Sequence, residues 1–326
     1  MAALVVPRAS RSRSQAEPNQ PGARSASTFA PFEPGPRRRS SVGGRPEAER
    51  RHPARRIIAT VTTDPSALPP APGFIDLRSR LEAGETLYGS FATLGSPVAT
   101  EILARVGFDW LMIDLEHGVT AESDLIAHLH AVGTTRTAAL VRPQSAERLR
   151  IGRALDLGAH GLMIPRIDTP AQAREAISFM RYPPDGTRGL ALSTRGAGLG
   201  ERTHAEVRSI NAHVLGIIQI ESPSAVEHVA EIADIDGVDV LFVGPTDLSH
   251  SLGIPGQFDD PAYLSAIAHV ATVAAAVGKA AGILLYDQAA VAPHRELGFR
   301  FIGLGADGGF LAGGARAMLR AVDPSR

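Results

Sequence analysis

Residues 238–249 read Val-Asp-Val-Leu-Phe-Val-Gly-Pro-Thr-Asp-Leu-Ser, a short apolar run followed at once by a Gly-Pro step and a carboxylate. Such a run is typical of a strand buried on both faces, as strands are in a parallel sheet covered by helices. The Gly-Pro step with polar residues behind it indicates a loop and the start of a helix. This stretch therefore predicts a β-α unit with polar residues at the carboxyl end of its strand.

The same unit recurs along the chain from Ile75 onward. We predict eight strands, at residues 86–93, 108–115, 137–141, 161–164, 214–220, 238–243, 279–284 and 300–304. Helical patterns lie between them, at residues 98–106, 146–157, 169–181, 224–233 and 261–277, and glycines stand where helix C-caps belong, at positions 107, 158, 278 and 298. Eight such units in about 250 residues favour an α/β fold of the TIM (β/α)8 barrel type. The alternative is an open doubly wound sheet, but no Gly-x-Gly-x-x-Gly follows the first strand.

The first 73 residues differ in composition from the rest. They hold twelve of the 24 prolines and no sustained apolar periodicity, so we expect a disordered Arg/Pro-rich extension at 1–73 ahead of a barrel domain at 74–326. A basic tail can bind nucleic acid or an anionic surface, and an Arg- and Ser-rich start can be an organelle transit peptide. No aromatic residues are interleaved for base stacking, which argues against nucleic acid. We favour an extension without function or a start placed too early.

Composition excludes several kinds of chemistry. The chain has no Cys, which excludes disulfides, thiolate catalysis and zinc–thiolate sites. Its single Lys, Lys279, opens the seventh predicted strand and should lie at the barrel end away from the active site, which disfavours a Schiff-base mechanism. The chain has no run of 18 or more apolar residues and no recognisable signal peptide. We therefore expect a soluble cytoplasmic protein without a membrane segment.

Active sites of TIM barrels lie at the carboxyl ends of the strands, so the polar residues just behind the predicted strands are the candidates. Glu221 and Asp247 follow neighbouring strands, and their oxygens could share a Mg or Mn ion, although strand-end carboxylates are also common salt-bridge partners. His117 can act as a general base near neutral pH or only form a hydrogen bond. Arg142 offers a fork of donors to a carboxylate or an enolate oxygen, or an ion pair to Asp114 or Glu116. The glycine-rich stretch 303–309 can bind phosphate or allow close packing.

Four segments at these positions resemble the HpcH/HpaI aldolase family, the metal-dependent pyruvate aldolases related to the citrate lyase β-subunit group. The segments are 107–117, 181–189, 219–222 and 237–249, and the resemblance covers nearly all of residues 80–315. It implies a TIM barrel with a divalent metal ion (Mg, Mn or Co) held by Glu221 and Asp247. It also implies that an α-keto acid is bound by Gln219 and by the backbone of Gly244, Pro245 and Thr246.

The catalytic roles that the resemblance implies fall on a second group of residues. His117 would be the base, assisted by Asp156, and Arg142 would stabilise the enolate oxygen, with Asp114 and Glu116 in support. Asp156 is unexpected in this role, because the predicted elements place it at the end of a helix, on the side of the barrel opposite His117. A contact between the two would require a different local path or a neighbouring subunit. The resemblance further implies a homo-oligomer, a hexamer built from dimers that exchange their last helix.

The implied reaction is the cleavage of a 4-hydroxy-2-oxo acid to pyruvate and an aldehyde through a metal-stabilised enolate. Arg166, behind the fourth strand, can hold an acidic group on the aldehyde or pair with Asp168. The same site could decarboxylate oxaloacetate or cleave an acyl-CoA, although the acidic barrel offers no obvious nucleotide site. A catalytically silent barrel acting as a binding or scaffold protein is the alternative of another class, and it has no need for so many charged residues at one rim.

Overall fold

The computed structural model describes residues 75–325. The extension predicted at residues 1–73 lies outside the described residues, and its boundary with the barrel stays a prediction. Within the part that is described, no helix is both long and apolar enough to cross a bilayer.

Eight parallel strands form a closed barrel in which each strand pairs with the next and the last pairs with the first. The strands are β1 (Leu87–Ala92), β2 (Trp110–Asp114), β3 (Ala138–Arg142), β4 (Gly161–Ile164), β5 (Leu215–Ile220), β6 (Val240–Val243), β7 (Ala280–Leu285) and β8 (Phe299–Ala306). The predicted (β/α)8 barrel is therefore confirmed. Every predicted strand end lies within two residues of the observed one.

Helices surround the barrel. They are α1 (Leu77–Glu82), α2 (Pro97–Val106), α3 (Leu125–Val132), α4 (Arg148–Asp156), α5 (Pro170–Met180), α6 (Pro223–Glu227), α7 (Val229–Ala233), α8 (Pro245–Ser251), α9 (Pro261–Ala276), α10 (Val291–Glu296) and α11 (Asp307–Val322). Short 3-10 turns lie at Glu122–Asp124, Arg195–Ala197, Val207–Ala212 and Gln288–Ala290.

Local capping explains where several helices begin and end. Thr169 and Gln172 form a reciprocal capping box at the start of α5, with Pro170 in its first turn. The four predicted C-cap glycines, at positions 107, 158, 278 and 298, all have positive φ, which a residue without a Cβ adopts at little cost.

The helix predicted over residues 224–233 is in fact two helices, α6 and α7, separated at His228. The backbone N–H of His228 donates to the Ser224 carbonyl at 3.1 Å, and the ring Nδ1 lies 2.9 Å from the same oxygen. His228 itself takes φ −92° and ψ 8°, which is not helical. This side-chain contact with the backbone is a local event that apolar periodicity does not reveal.

The apolar side chains form two layers, one on each face of the barrel wall. Trp110 and Met112 of β2 pack inside the barrel, while Leu111 and Ile113 pack against the outer helices. Inside, the Trp110 ring stacks on Phe301 with ring centroids 4.3 Å apart. The strands therefore alternate between the two layers, and the alternation decides which polar side chain at a strand end points into the barrel mouth.

Candidate active site

Three polar residues occupy interior-facing positions on their strands. Asp114 follows Met112 by two residues, Arg142 ends β3, and Gln219 lies in β5; all three are buried. Because the strands are parallel and closed into a ring, these side chains meet at one end of the barrel. The predicted gathering of polar residues at the carboxyl ends of the strands is present.

Arg142 contacts three other polar residues at this end of the barrel. Its Nε and Nη2 donate to the two carboxylate oxygens of Asp114 at 2.9 and 2.7 Å, and its Nη1 lies 3.3 Å from Glu116 Oε2 and 3.5 Å from Gln219 Oε1. Burial alone would lower the pKa of Arg142, but the hydrogen bonds and charge of Asp114, together with other carboxylates, raise it. The guanidinium is therefore a fixed cation, stacked over the Phe91 ring at 5.3 Å.

Asp114 also shapes the turn that carries the candidate base. Its Oδ1 accepts the backbone N–H groups of Glu116 at 3.1 Å and His117 at 3.3 Å. The His117 side chain is 61% exposed, with Nε2 3.8 Å from Glu116 Oε2. Burial raises the pKa of Glu116, although Arg142 and His117 oppose the shift. The imidazole can thus reach a ligand in the mouth while its backbone is held in place.

Glu221 is held by hydrogen bonds to both carboxylate oxygens. The Arg166 backbone N–H donates to Oε1 at 2.7 Å, and Gln219 Nε2 donates to Oε2 at 2.5 Å. Arg166 makes its contact from the left-handed region, with φ 57°, which is uncommon for a residue with a side chain. Burial, with the negative charges of Asp247 and Glu116, raises the pKa of Glu221 to about 7.

The segment after β6 brings Asp247 to the same place. Gly244 caps α8, Pro245 begins the helix, and Asp247 lies in its first turn, with Thr246 exposed beside it. A Cβ on Gly244 would lie 2.8 Å from Gln219 Nε2 and 3.0 Å from Glu221 Oε2, so a larger residue would displace these two side chains.

A divalent ion fits this set of residues. No group of three or more candidate metal-binding side chains occurs within residues 75–325, so the protein would supply two carboxylates, Glu221 and Asp247. Burial raises the pKa of Glu221, the charge of Asp247 raises it further, and Arg142 opposes the shift without cancelling it, so a bound cation would favour the charged carboxylate. Each Glu221 oxygen accepts one hydrogen bond and keeps a further lone pair for an ion.

Asp156 is not brought to His117 within the chain. It is the last residue of α4, at the end of the barrel where the strands begin, and it accepts a hydrogen bond from Arg188 Nη2 at 2.9 Å. Arg188 is itself buried, with its guanidinium over the Tyr182 ring at 4.4 Å. A role for Asp156 beside His117 stays a prediction, and it requires a neighbouring subunit.

Two other sequence expectations are decided by neighbouring side chains. Lys279 precedes β7 and lines a cavity with Arg78 and Asp239 at the opposite end of the barrel, as expected. At the start of α11, the Asp307 carboxylate accepts hydrogen bonds from Thr93 N, Thr93 Oγ1 and Leu94 N at 2.9, 2.7 and 3.1 Å. These hydrogen bonds tie the start of α11 to the segment after β1, which favours the packing interpretation of residues 303–309.

Two residues at the mouth were not found from the sequence. Phe91 lies under Arg142, and Tyr286 follows β7 directly. Both are apolar or amphipathic residues, so a search for charged side chains at strand ends passed over them. Alternation would have found them, because Phe91 packs in the interior layer and Tyr286 lies two residues beyond Leu284, which also packs there.

Known proteins share this fold and much of this sequence. A family model described as HpcH/HpaI aldolase/citrate lyase matches residues 87–313. A hydroxypyruvate/pyruvate aldolase from Paraburkholderia phytofirmans is 39% identical over 252 residues, 76% of this chain and 96% of that protein. A 4-hydroxy-2-oxo-heptane-1,7-dioate aldolase from Salmonella arizonae is 34% identical over 241 residues, 74% of this chain and 92% of that protein. A solved HpcH/HpaI aldolase/citrate lyase family protein from Burkholderia cenocepacia has a TM-score of 0.72 at 40% identity, covering 76% of this chain and 98% of that one.

The relatives confirm two predictions made from the sequence. The chain is an enzyme of the carbon–carbon lyase class, because aldolases match it over about three quarters of its length. The resemblance seen in four short segments extends over the barrel from β1 into α11. The chain belongs to the HpcH/HpaI aldolase/citrate lyase family.

Proposed function

We propose that the chain is a divalent-metal-dependent aldolase that cleaves a 4-hydroxy-2-oxo acid to pyruvate and an aldehyde. The observation that carries this proposal is the placement of Glu221 and Asp247 beside Arg142, with the pKa of Glu221 raised to about 7 by burial and neighbouring carboxylates. Such a site gains from a bound cation and from an anionic, oxygen-rich substrate. The names of the two aldolase relatives support the same reaction class.

Glu221 and Asp247 would hold the ion, and an all-oxygen donor set suits Mg, Mn or Co. A bound ion would supply electron withdrawal from the keto group, which favours formation of the enolate. Gln219 and the backbone of Gly244, Pro245 and Thr246 would orient the α-keto acid against these carboxylates. The tight approach of Gly244 to Gln219 and Glu221 supports a preformed pocket for the small keto acid.

His117 and Arg142 would carry the proton and charge movements. His117 would accept the proton of the 4-hydroxyl as the C3–C4 bond breaks, which forms the aldehyde carbonyl and passes the bonding electrons to the pyruvate enolate. Arg142 would stabilise the negative charge that develops on the enolate oxygen, because Asp114 leaves its Nη1 directed at the mouth. Protonation of the enolate carbon completes the formation of pyruvate.

The assembly that we propose is a homo-oligomer in which α11 packs on a second copy. Beyond Asp307, most residues of α11 are exposed, including Phe310, Leu311, Met318 and Val322. Within residues 75–325, Phe310 stacks on Phe108, but Leu311, Met318 and Val322 keep most of their surface exposed, which favours a partner that covers them. Light scattering should show an oligomer, and replacing Leu311 and Met318 with Ser should shift it toward monomer.

Two alternative functions compete with this proposal. One is a different reaction at the same residues, and the other is a scaffold role without catalysis. Oxaloacetate decarboxylation needs only the keto-acid half of the site, whereas an acyl-CoA substrate needs a basic nucleotide site. A scaffold protein needs neither Arg142 nor the buried carboxylates. Burial of these charged groups destabilises the fold, and a scaffold role gives no reason to keep them. A cytoplasmic location remains our prediction from the sequence.

One assay separates these functions. The metal-free protein would be incubated with 4-hydroxy-2-oxo acids of different chain lengths, and pyruvate release followed with lactate dehydrogenase and NADH. We expect release that depends on added Mg, Mn or Co and stops with EDTA. Borohydride with pyruvate should leave no covalent adduct, whereas an adduct on Lys279 would contradict the proposal. Absence of turnover with every metal and substrate would favour the scaffold.

A further inference from the structure

Tyr286 continues the interior face of β7 into the barrel mouth. Ala280 and Leu284 of β7 pack with the interior layer, whereas Ile283 and Leu285 pack with the outer helices. Tyr286 is the first residue after the strand, so the alternation places it at the next interior-facing position. It therefore stands one step above Leu284, on the same side of the barrel wall, where the site opens.

Tyr286 lies on the wall of the barrel opposite Arg142. In the closed barrel, β7 lies four strands from β3 and so occupies the opposite wall. Burial raises the pKa of the Tyr286 hydroxyl, with the charge of Arg142 lowering it and that of Asp114 raising it further, so the hydroxyl lies within electrostatic range of both. The residue as a whole is 70% exposed.

This position faces the aldehyde half of the proposed substrate. The keto-acid half of the proposed substrate is assigned to Glu221, Asp247 and Arg142, at the level where the strands end. The carbon that becomes the aldehyde must lie farther out, within reach of His117, which is exposed at the mouth. Tyr286 adds a phenol to the barrel wall at this height. A phenol is protonated at neutral pH, and burial raises the pKa of Tyr286 further above its ordinary value.

We propose that the Tyr286 hydroxyl binds the aldehyde half of the substrate through an oxygen on the carbon next to the aldehyde carbonyl. The enzyme would then favour short hydroxyaldehydes over alkyl aldehydes of the same size. A neutral phenol can donate to a substrate hydroxyl and accept from it, whereas an alkyl group would leave the phenol unpaired. This inference rests on the proposed aldolase function, and it deepens that function by naming the class of aldehyde.

Glycolaldehyde and propionaldehyde provide the matched pair of substrates, because they differ only in a hydroxyl in place of a methyl group. The measurement is kcat/KM for their addition to pyruvate, with wild-type and Tyr286→Phe enzymes loaded with Mn. We expect the wild type to prefer glycolaldehyde and Tyr286→Phe to lose about tenfold of that preference. The rate with propionaldehyde should change by less than about twofold, since the ring remains in place.

Tyr88→Phe is the control, because it removes a phenol hydroxyl near the start of β1, at the far end of the barrel. It should leave the preference unchanged. Equal losses for both aldehydes in Tyr286→Phe, or an unchanged ratio, would overturn the assignment of Tyr286 while leaving the aldolase function intact. Failure of the wild type to catalyse either addition would instead overturn the aldolase function, and the inference with it.

Discussion

Arg142 and Asp114 lie opposite each other on paired strands and are joined by two hydrogen bonds, from Nε to Oδ1 at 2.9 Å and from Nη2 to Oδ2 at 2.7 Å. Both residues are buried, and Asp114 Oδ1 also accepts a hydrogen bond from the backbone N–H of His117. One carboxylate therefore positions two of the groups that the proposed reaction needs. It also occupies the Nε and Nη2 edge of the guanidinium and leaves Nη1 for other partners.

Removal of Arg142 should destabilise the fold through Asp114. In Arg142→Met the buried carboxylate loses its cation, and we expect a loss of about 3 kcal/mol in the free energy of unfolding. Asp114→Asn in the same chain should recover most of that loss, because an amide costs less to bury than an unpaired charge. Urea unfolding of the two single variants and the double variant forms the required cycle. Additive losses would show that the pair is not coupled.

Gly244→Ala should damage the site without damaging the barrel. The added Cβ would approach Gln219 Nε2 to 2.8 Å and Glu221 Oε2 to 3.0 Å, which must separate the two side chains. We expect kcat/KM for pyruvate release to fall by roughly tenfold or more, since small misplacements of reacting groups have large effects. Gly152→Ala is the matched control, because the space around that helical glycine is open. Similar activity losses in both variants would point to a general effect on folding.

The barrel and its rim were predictable from the sequence because both follow from alternation and from the position of polar residues after apolar runs. The metal-binding candidates Glu221 and Asp247 needed only their strand ends to be located. Asp156 was different, since its proposed role came from resemblance and its position at the end of α4 already disagreed with that role. The spacing of residues in one chain does not predict which residues meet across a contact between subunits.

Other features depended on contacts that no local pattern encodes. The raised pKa of Glu221 arises first from burial and then from the charges of Asp247 and Glu116, which approach it from other β-α units. The left-handed backbone conformation of Arg166 could not be predicted from its residue type, because glycine is the residue that commonly adopts this conformation. Distances across the barrel mouth are set by the closure of all eight strands, so the electrostatics of the site could be stated only from the structure.

Arg166 provides a test of charge selection at the rim. Its backbone holds Glu221, while its side chain is exposed, and Asp168, the alternative partner considered for it, instead accepts a hydrogen bond from Ser222. We expect Arg166→Ala to lower kcat/KM about tenfold for an aldehyde that carries a carboxylate, through loss of a charged hydrogen bond. The value for a neutral aldehyde of equal length should change little. Equal losses for both aldehydes would assign Arg166 to holding Glu221 alone.

Metal binding should depend on pH through Glu221. The carboxyl pKa is raised to about 7, so below that pH the metal-free site holds a proton that the ion must displace. We expect the apparent affinity for Mn to rise about tenfold per pH unit between pH 5.5 and 7 and to level off above. Titration calorimetry in two buffers of different ionisation enthalpy would count the released proton, which should approach one per ion at low pH.

The sign of this dependence can be tested with Glu116→Gln. Glu116 contributes negative charge that raises the pKa of Glu221, so its removal should move the midpoint of the affinity profile to lower pH. Glu221→Gln should instead abolish the pH dependence together with most of the binding. A profile that keeps the same midpoint in Glu116→Gln would show that Glu116 does not act on Glu221, and that burial and Asp247 set the titration of Glu221 without it.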